Sequence, residues 1–305
     1  MIGAASAQIN IGTPGAIKPA NFKKKDIELY KSLKTFFVLR DSDKDNRLKI
    51  EAMLKAVWTF NKFEIIDFDQ YKTMKDDGNA LFFGLRNYNE SSDYTSNSDL
   101  FGKYAQSSVL RIQLWRNLPK ENPQLLNEDV LAYIHLGPSW KMSNELRERI
   151  SIDAFEYLCK TDTAVKEWSW GFLKNYLQEI NRRLEANESR WRFESEVDKA
   201  NIGKLNSQIL FVCSDVKNLY DSREKEDPFE KYTGKKIEMI DPQALSDKIM
   251  NSETPFYYMK VYKTGGDKMV TIINSATGEF LYSDYSGMAY FFKDKDVKEL
   301  SGKLK

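Results

Sequence analysis

Asp41, Asp43 and Asp45 are three aspartates at alternate positions, followed by Asn46, Arg47 and the apolar Leu48. They carry the sharpest chemical signal in the chain. Carboxylate oxygens spaced this way can wrap a hard cation, calcium above all. The competing reading is a strand-to-helix turn. Acids there favour the positive end of the following helix dipole.

The same run resembles the start of an EF-hand calcium loop, with an apolar residue at the eighth position. Asn46 stands where that loop has glycine, and Glu51 falls one residue before the closing carboxylate. A strand, not a helix, is expected to precede it. Calcium through Asp41, Asp43 and Asp45 is therefore the one metal reading the sequence offers, and no other cofactor is implied.

Nucleophilic chemistry has few residues to draw on. His135 is the sole histidine, so a Ser-His-Asp or Cys-His arrangement has to use it. It sits in the strand-like run Ala132–Leu136, where a half-buried structural histidine is the plainer reading. Cys159 and Cys213 are the two cysteines, and neither belongs to a C-x-x-C pair. Cys213 lies in an apolar run, which points to a buried, inert thiol. A disulfide between them stays open. Asp67 and Asp241 are tempting as paired acids, but each stands just before a helical pattern and reads as its cap. Thr264 to Asp267, with Gly265-Gly266 at its centre, reads as a hairpin turn, because a phosphate-binding loop needs a helix after its glycines. No catalytic residue is assigned.

Positioning any such site falls to an apparent duplication. FFVLRD at Phe36–Asp41, TFNKFEIID at Thr59–Asp67 and LFF at Leu81–Phe83 are answered by LFVCSD, TGKKIEMID and PFY. Phe37 and Phe211, Glu64 and Glu238, and Phe82 and Phe256 are each 174 residues apart. Val38, Asp41, Thr59, Lys62, Ile66 and Asp67 also recur as identical residues at that offset. A repeat at this scale fixes architecture before any motif does.

Within each copy the patterns alternate. Thr35–Leu39 and Ile209–Cys213 are apolar runs, as strands covered on both faces require. Ile50, Met53, Leu54, Val57 and Trp58 share one helical stripe. Phe63–Ile66 and Leu81–Leu85 predict two more strands, followed by a polar insertion over Asn87–Asp99. Val109–Trp115 and Val130–Leu136 predict an antiparallel pair. In the second copy the first helix is degraded by charges and by Pro228. Asp241-Pro242 starts a helix. Strands are expected at Phe256–Tyr262, Lys268–Ile273 and Phe280–Tyr282, and a closing helix at Lys293–Leu304. The longest helical stripe runs from Val165 through Trp168, Phe172, Tyr176 and Ile180 to Leu184, with Thr161 or Asp162 as its cap.

The expected fold class is α/β with mixed α+β sheets: two tandem β-α-β-α-β-β-β repeats joined by a long amphipathic helix. The expected divisions are a leader or linker over 1–32, a first repeat over 33–160, a connecting helix region over 161–204 and a second repeat over 205–305.

Composition limits partners. The formal net charge is +1, with 46 Lys and Arg against 45 Asp and Glu. So balanced a chain has no global field to hold nucleic acid. No run approaches the ~20 apolar residues of a membrane span. Ala5-Ser6-Ala7 before Gln8 has the small-x-small form of a secretory cleavage site, so export to the periplasm or beyond is expected. Trp115, Trp140, Trp168, Trp170 and Trp191 form one aromatic group; a second extends from Phe256 through Tyr262 to Phe292. Most read as core, with Tyr282, Tyr285 and Tyr290 as a candidate exposed patch.

The functional expectation is a non-catalytic binding or assembly protein, with a protein or glycan partner, a surface between the repeats and scope for a homo-oligomer. The alternative is a hydrolase whose acids lie in the cleft between them.

Overall fold

A computed structural model describes residues 9–14, 18–91, 106–118, 128–136, 146, 151–161, 168–221, 226–264, 267–289 and 291–304. It is an α/β protein with two six-stranded mixed sheets. The chain divides into two compact units. One is built chiefly from Asn10–Lys166 with Leu184–Ser189, the other chiefly from Glu167–Arg183 with Arg190–Lys305.

The first sheet comprises β1 (Ile9–Ile11), β2 (Lys34–Val38), β3 (Phe63–Ile66), β4 (Ala80–Ser91), β5 (Gln106–Asn117) and β6 (Glu128–Leu136), in the spatial order β1-β6-β5-β4-β2-β3. β2 runs parallel to both β3 and β4, and β4, β5 and β6 form an antiparallel meander. Parallel neighbours need crossovers. α2 (Arg47–Val57) supplies the first and α3 (Phe68–Met74) the second. Asp67 caps α3 as expected: its carboxylate accepts from the Gln70 amide at 2.8 Å, and the Gln70 side chain accepts from the Asp67 amide.

The core between this sheet and α3 holds Phe36, Val38, Tyr71, Phe82 and Trp115. It also holds Phe155 and Cys159 of α4 (Ser151–Lys160), a helix missing from the sequence-based expectation. Ala154, Phe155, Leu158 and Cys159 are all buried at helical spacing, so the signal was present. Gly84 of β4 lies under Phe155, where a Cβ would come within 3.2 Å of the ring.

Two expectations shift here. The segment read as a leader contributes β1, with Ile9 and Ile11 buried; α1 (Lys24–Ser32) is no departure, since Asp26 to Leu33 reads as a short helix. The segment read as an insertion after Leu85 begins as strand, since β4 pairs with β5 as far as Ser91.

The second sheet comprises β7 (Glu196–Val197), β8 (Ile209–Cys213), β9 (Lys236–Ile240), β10 (Tyr257–Thr264), β11 (Asp267–Asn274) and β12 (Phe280–Ser286), in the order β7-β12-β11-β10-β8-β9. Taking the strands of each copy in chain order, this is the order of the first sheet. β8 is again parallel to both its neighbours, and β10, β11 and β12 again form a meander. Among its described residues the first crossover carries two 3-10 turns, Ser214–Leu219 and Pro228–Lys231, and no α-helix. The second is α6 (Pro242–Asn251), capped by Asp241. Its chain-order predecessor, α5 (Trp170–Ala186), contributes Phe172 against Tyr258 of this sheet. The closing helix is α7 (Asp294–Lys303), whose Val297 and Leu300 join Leu210, Val212 and Met259 in the core.

The constant offset of 174 does not survive as register. In the first sheet Phe36 pairs with Glu64 and with Phe82. In the second, Phe211 pairs with Glu238 and with Tyr258. The counterpart of Phe211 is therefore Phe36, not the identical Phe37. A one-residue slip sends a side chain to the other face. Accordingly Phe37 packs on Trp58 at the end of α2, whereas Phe211 packs on Phe256 and under Lys248 of α6.

α5 starts at Trp170, so Trp168 precedes it. Thr161 does not cap it; its amide closes the last turn of α4 by donating to the Tyr157 carbonyl. Asp162 and Val165 lie outside the described residues.

Candidate functional site: a basic groove at a strand edge

Among the described residues β3 ends the first sheet, with a strand on one side only. The Thr35 amide donates to the Lys62 carbonyl and the Leu39 amide to the Ile66 carbonyl, both at 2.8 Å. Alternation then turns the backbone groups of Phe63 and Ile65 to the open side. Arg47 reaches across from α2 and donates to the Ile65 carbonyl at 2.7 Å. An arginine thus blunts half of an otherwise exposed edge.

A groove of about 910 Å³ runs beside that edge. One wall is α2, where Arg47, Glu51 and Lys55 recur every four residues and so form a single row. The other is β3 itself, with Lys62 at its start and Glu64 along it. Lys31 and Lys34 line one end, and Trp58, Asn61 and Phe63 supply the apolar and amide surface. Asn61 is fixed by its neighbours: it accepts from Thr35 at 2.7 Å and from the Trp58 ring at 2.9 Å, and donates to the Tyr30 carbonyl.

The groove's charges are largely paired. Lys34 meets Glu64 at 2.6 Å, Lys55 meets Glu51 at 2.7 Å, and Lys31 meets Glu185 at 2.9 Å. Lys55 holds the Glu51 carboxyl below the ordinary carboxylate range, first through its hydrogen bond and then through its charge. Five cations against three carboxylates leave Arg47 and Lys62 as the surplus. The chemistry on offer is recognition of negative charge and of exposed backbone. Glu51, held low in this way, is not arranged as a general acid, which requires a raised pKa.

The residues singled out by sequence lie elsewhere. Asp41, Asp43 and Asp45 occupy one 3-10 turn, Asp41–Asn46, with Asp43 buried and Asp41 paired to Lys44 at 2.8 Å. Among the described residues no group of three or more His, Cys, Asp or Glu side chains is placed to hold a metal. His135 is fully buried, and its Nε2 accepts from the Arg111 guanidinium at 2.9 Å. That hydrogen bond occupies one of the two ring nitrogens. Cys159 and Cys213 are both free and buried, and burial pushes each thiol up to about 12. Gly265, Gly266, Trp140 and Tyr290 lie outside the described residues, although Thr264 and Asp267 do pair across the expected hairpin. Trp115, Tyr258 and Phe292 are core residues. Tyr282 is buried too, which removes it from the proposed exposed patch, while Tyr285 is half-buried and donates to Asp267 at 3.2 Å.

Two features escaped sequence reasoning. The groove did, because its lining residues are ordinary surface charges until the crossover brings α2 beside β3. So did a polar patch on the α4 side of the first sheet. There Arg86 stacks over Trp115 at 4.6 Å and pairs with Glu128, and Gln113 donates to the same carboxylate at 3.2 Å. The alternation of Arg111 with Gln113, and of Tyr133 with His135, is its only trace in the sequence. Among the described residues no helix is long and apolar enough to cross a membrane.

No protein-family model, curated protein or solved structure matches this chain.

Proposed function

We propose that this is a non-catalytic binding or assembly protein whose first unit holds an anionic partner in the groove beside β3. The observation that carries the reading is the row Arg47, Glu51 and Lys55 facing an open strand edge, with Arg47 and Lys62 as cations in excess. A surface between the repeats was the wider expectation; the groove is a narrower site, contained in one unit. A protein partner suits it better than a glycan, since most of its lining residues are charged and its largest ring, Trp58, is buried. Export remains part of the proposal and rests on Ala5-Ser6-Ala7 alone.

The test is a titration of the whole chain with labelled octaglutamate and, separately, with a heparin hexasaccharide. Binding of at least one probe is expected, weakened by salt and by Lys62→Glu. If neither probe binds at low ionic strength, the reading is wrong. Nuclear magnetic resonance shifts confined to residues away from 31–65 would overturn it equally.

A further inference from the structure

We infer that the occupant of the groove is an acidic polypeptide segment, lying extended along β3 and pairing its main chain with Phe63. This rests on the groove being a binding site, as proposed above, and adds what it binds and how.

Three observations point to a polypeptide. The first is the strand edge. The backbone of Phe63 faces the open side of β3, and among the described residues no neighbouring strand pairs there. A peptide can satisfy such groups by adding a strand. A sugar or a free phosphate cannot match their spacing.

The second is the form of the groove. Arg47 and Lys55 lie eight residues apart on α2, about 12 Å along the helix. β3 spans four residues, about 13 Å. A channel of that length suits an extended segment of about four residues, walled by the helix row and floored by Trp58 and Phe63.

The third is charge. Every ion pair already in the groove is an ammonium on a carboxylate: Lys34 with Glu64, Lys55 with Glu51, and Lys31 with Glu185. The two surplus cations sit at opposite ends of β3. Arg47 stands at Ile65 and Lys62 just before Phe63. Alternate residues of an extended peptide project to one face about 7 Å apart, so acids at every second position can reach both ends. Two surplus cations are few for a polyphosphate, which would gather several uncompensated Lys and Arg.

The second unit shows what the groove depends on. Its edge strand β9 occupies the place of β3, but the described residues of its crossover carry 3-10 turns and no α-helix. It therefore has no helical row to wall a channel, and the same peptide should ignore it.

The experiment uses the full chain and a capped peptide of sequence Glu-Val-Glu-Val-Glu, compared with the same peptide N-methylated at two successive amides. Whichever edge meets β3 then loses a donor. The parent peptide should bind and shift the amide resonances of Phe63 and Ile65, leaving those of β9 in place. N-methylation should weaken binding about tenfold or more. Lys62→Glu should do the same, with the circular dichroism spectrum unchanged. If the parent binds but N-methylation has no effect and Phe63 does not shift, strand addition is overturned while an anion-binding groove survives. If heparin binds and the peptide does not, a polypeptide partner is overturned. Failure of every anionic probe removes both this inference and the function it builds on.

Discussion

The Arg47 guanidinium donates to the Ile65 carbonyl at 2.7 Å, bridging α2 to the outer edge of β3. This contact does two jobs. It fixes the helix row against the strand, and it removes one acceptor from an edge that would otherwise pair with any passing chain. Arg47→Ala should lower stability by about 1.5 kcal/mol, the low end of the usual scale for a hydrogen bond to a charged group. It should also raise concentration-dependent self-association. Urea denaturation and sedimentation velocity check the two effects, and an unchanged sedimentation profile would argue that the edge needs no such guard.

Lys268 and Asp296 form an ion pair that is nearly out of water, with side chains 5% and 6% exposed. Lys268 also donates to the Phe291 carbonyl at 2.8 Å, and Asp296 accepts from the Lys293 amide at 2.8 Å at the start of α7. Removing one partner strands the other charge. Lys268→Met should therefore cost about 3 kcal/mol or more, and adding Asp296→Asn should recover part of it. Additive losses in the double variant would show that the two side chains do not act as a pair.

Glu179 of α5 is buried, which by itself raises its pKa, but the Arg183 and Arg182 charges and hydrogen bonds outweigh burial and hold it below the ordinary range. A folded pKa below the unfolded one stabilises the protein above the unfolded value. That contribution is lost as the pH falls through the folded pKa. The melting temperature should thus drop on acidification below about pH 4. Glu179→Gln should be less stable at neutral pH and lose less on acidification. A parallel pH profile for the variant would place the acid sensitivity elsewhere.

Calcium is the simplest expectation to check. Asp41 is paired to Lys44, and Asp43 is buried in a tight 3-10 turn. A chelator should leave the melting temperature within about 1 °C of its value in excess calcium, because a ligand stabilises only a fold that binds it. A larger, saturable rise with calcium would restore the three aspartates as a site.

Much of the fold was legible along the chain. The strands at Phe63–Ile66 and Ile209–Cys213 fall where the apolar runs put them, since a covered strand leaves a short uninterrupted apolar run. Asp67 and Asp241 both cap helices, a local matter of one side chain and the next turn. β1 and β7 were not legible. Three residues at Ile9–Ile11 and two at Glu196–Val197 are too short for periodicity, and only the sheet edge that receives them makes them strands. The repeat was visible as recurrence, yet its register misled. Phe37 and Phe211 are the same residue type at a constant spacing but face opposite sides of their sheets.

The sequence by itself settled most of the longer strands and helices, the starts of the two helices capped by Asp67 and Asp241, and that a similar order of strands recurs. These follow from side-chain period and caps, which act over a few residues. Tertiary structure decided the rest: which strand ends each sheet, which face a repeated phenylalanine takes, and that Arg47 on a helix stands beside Ile65 on an open edge. Those outcomes come from pairing and crossover geometry between distant segments. The lysines and glutamates of the groove carry no mark of it until the chain folds and sets them side by side.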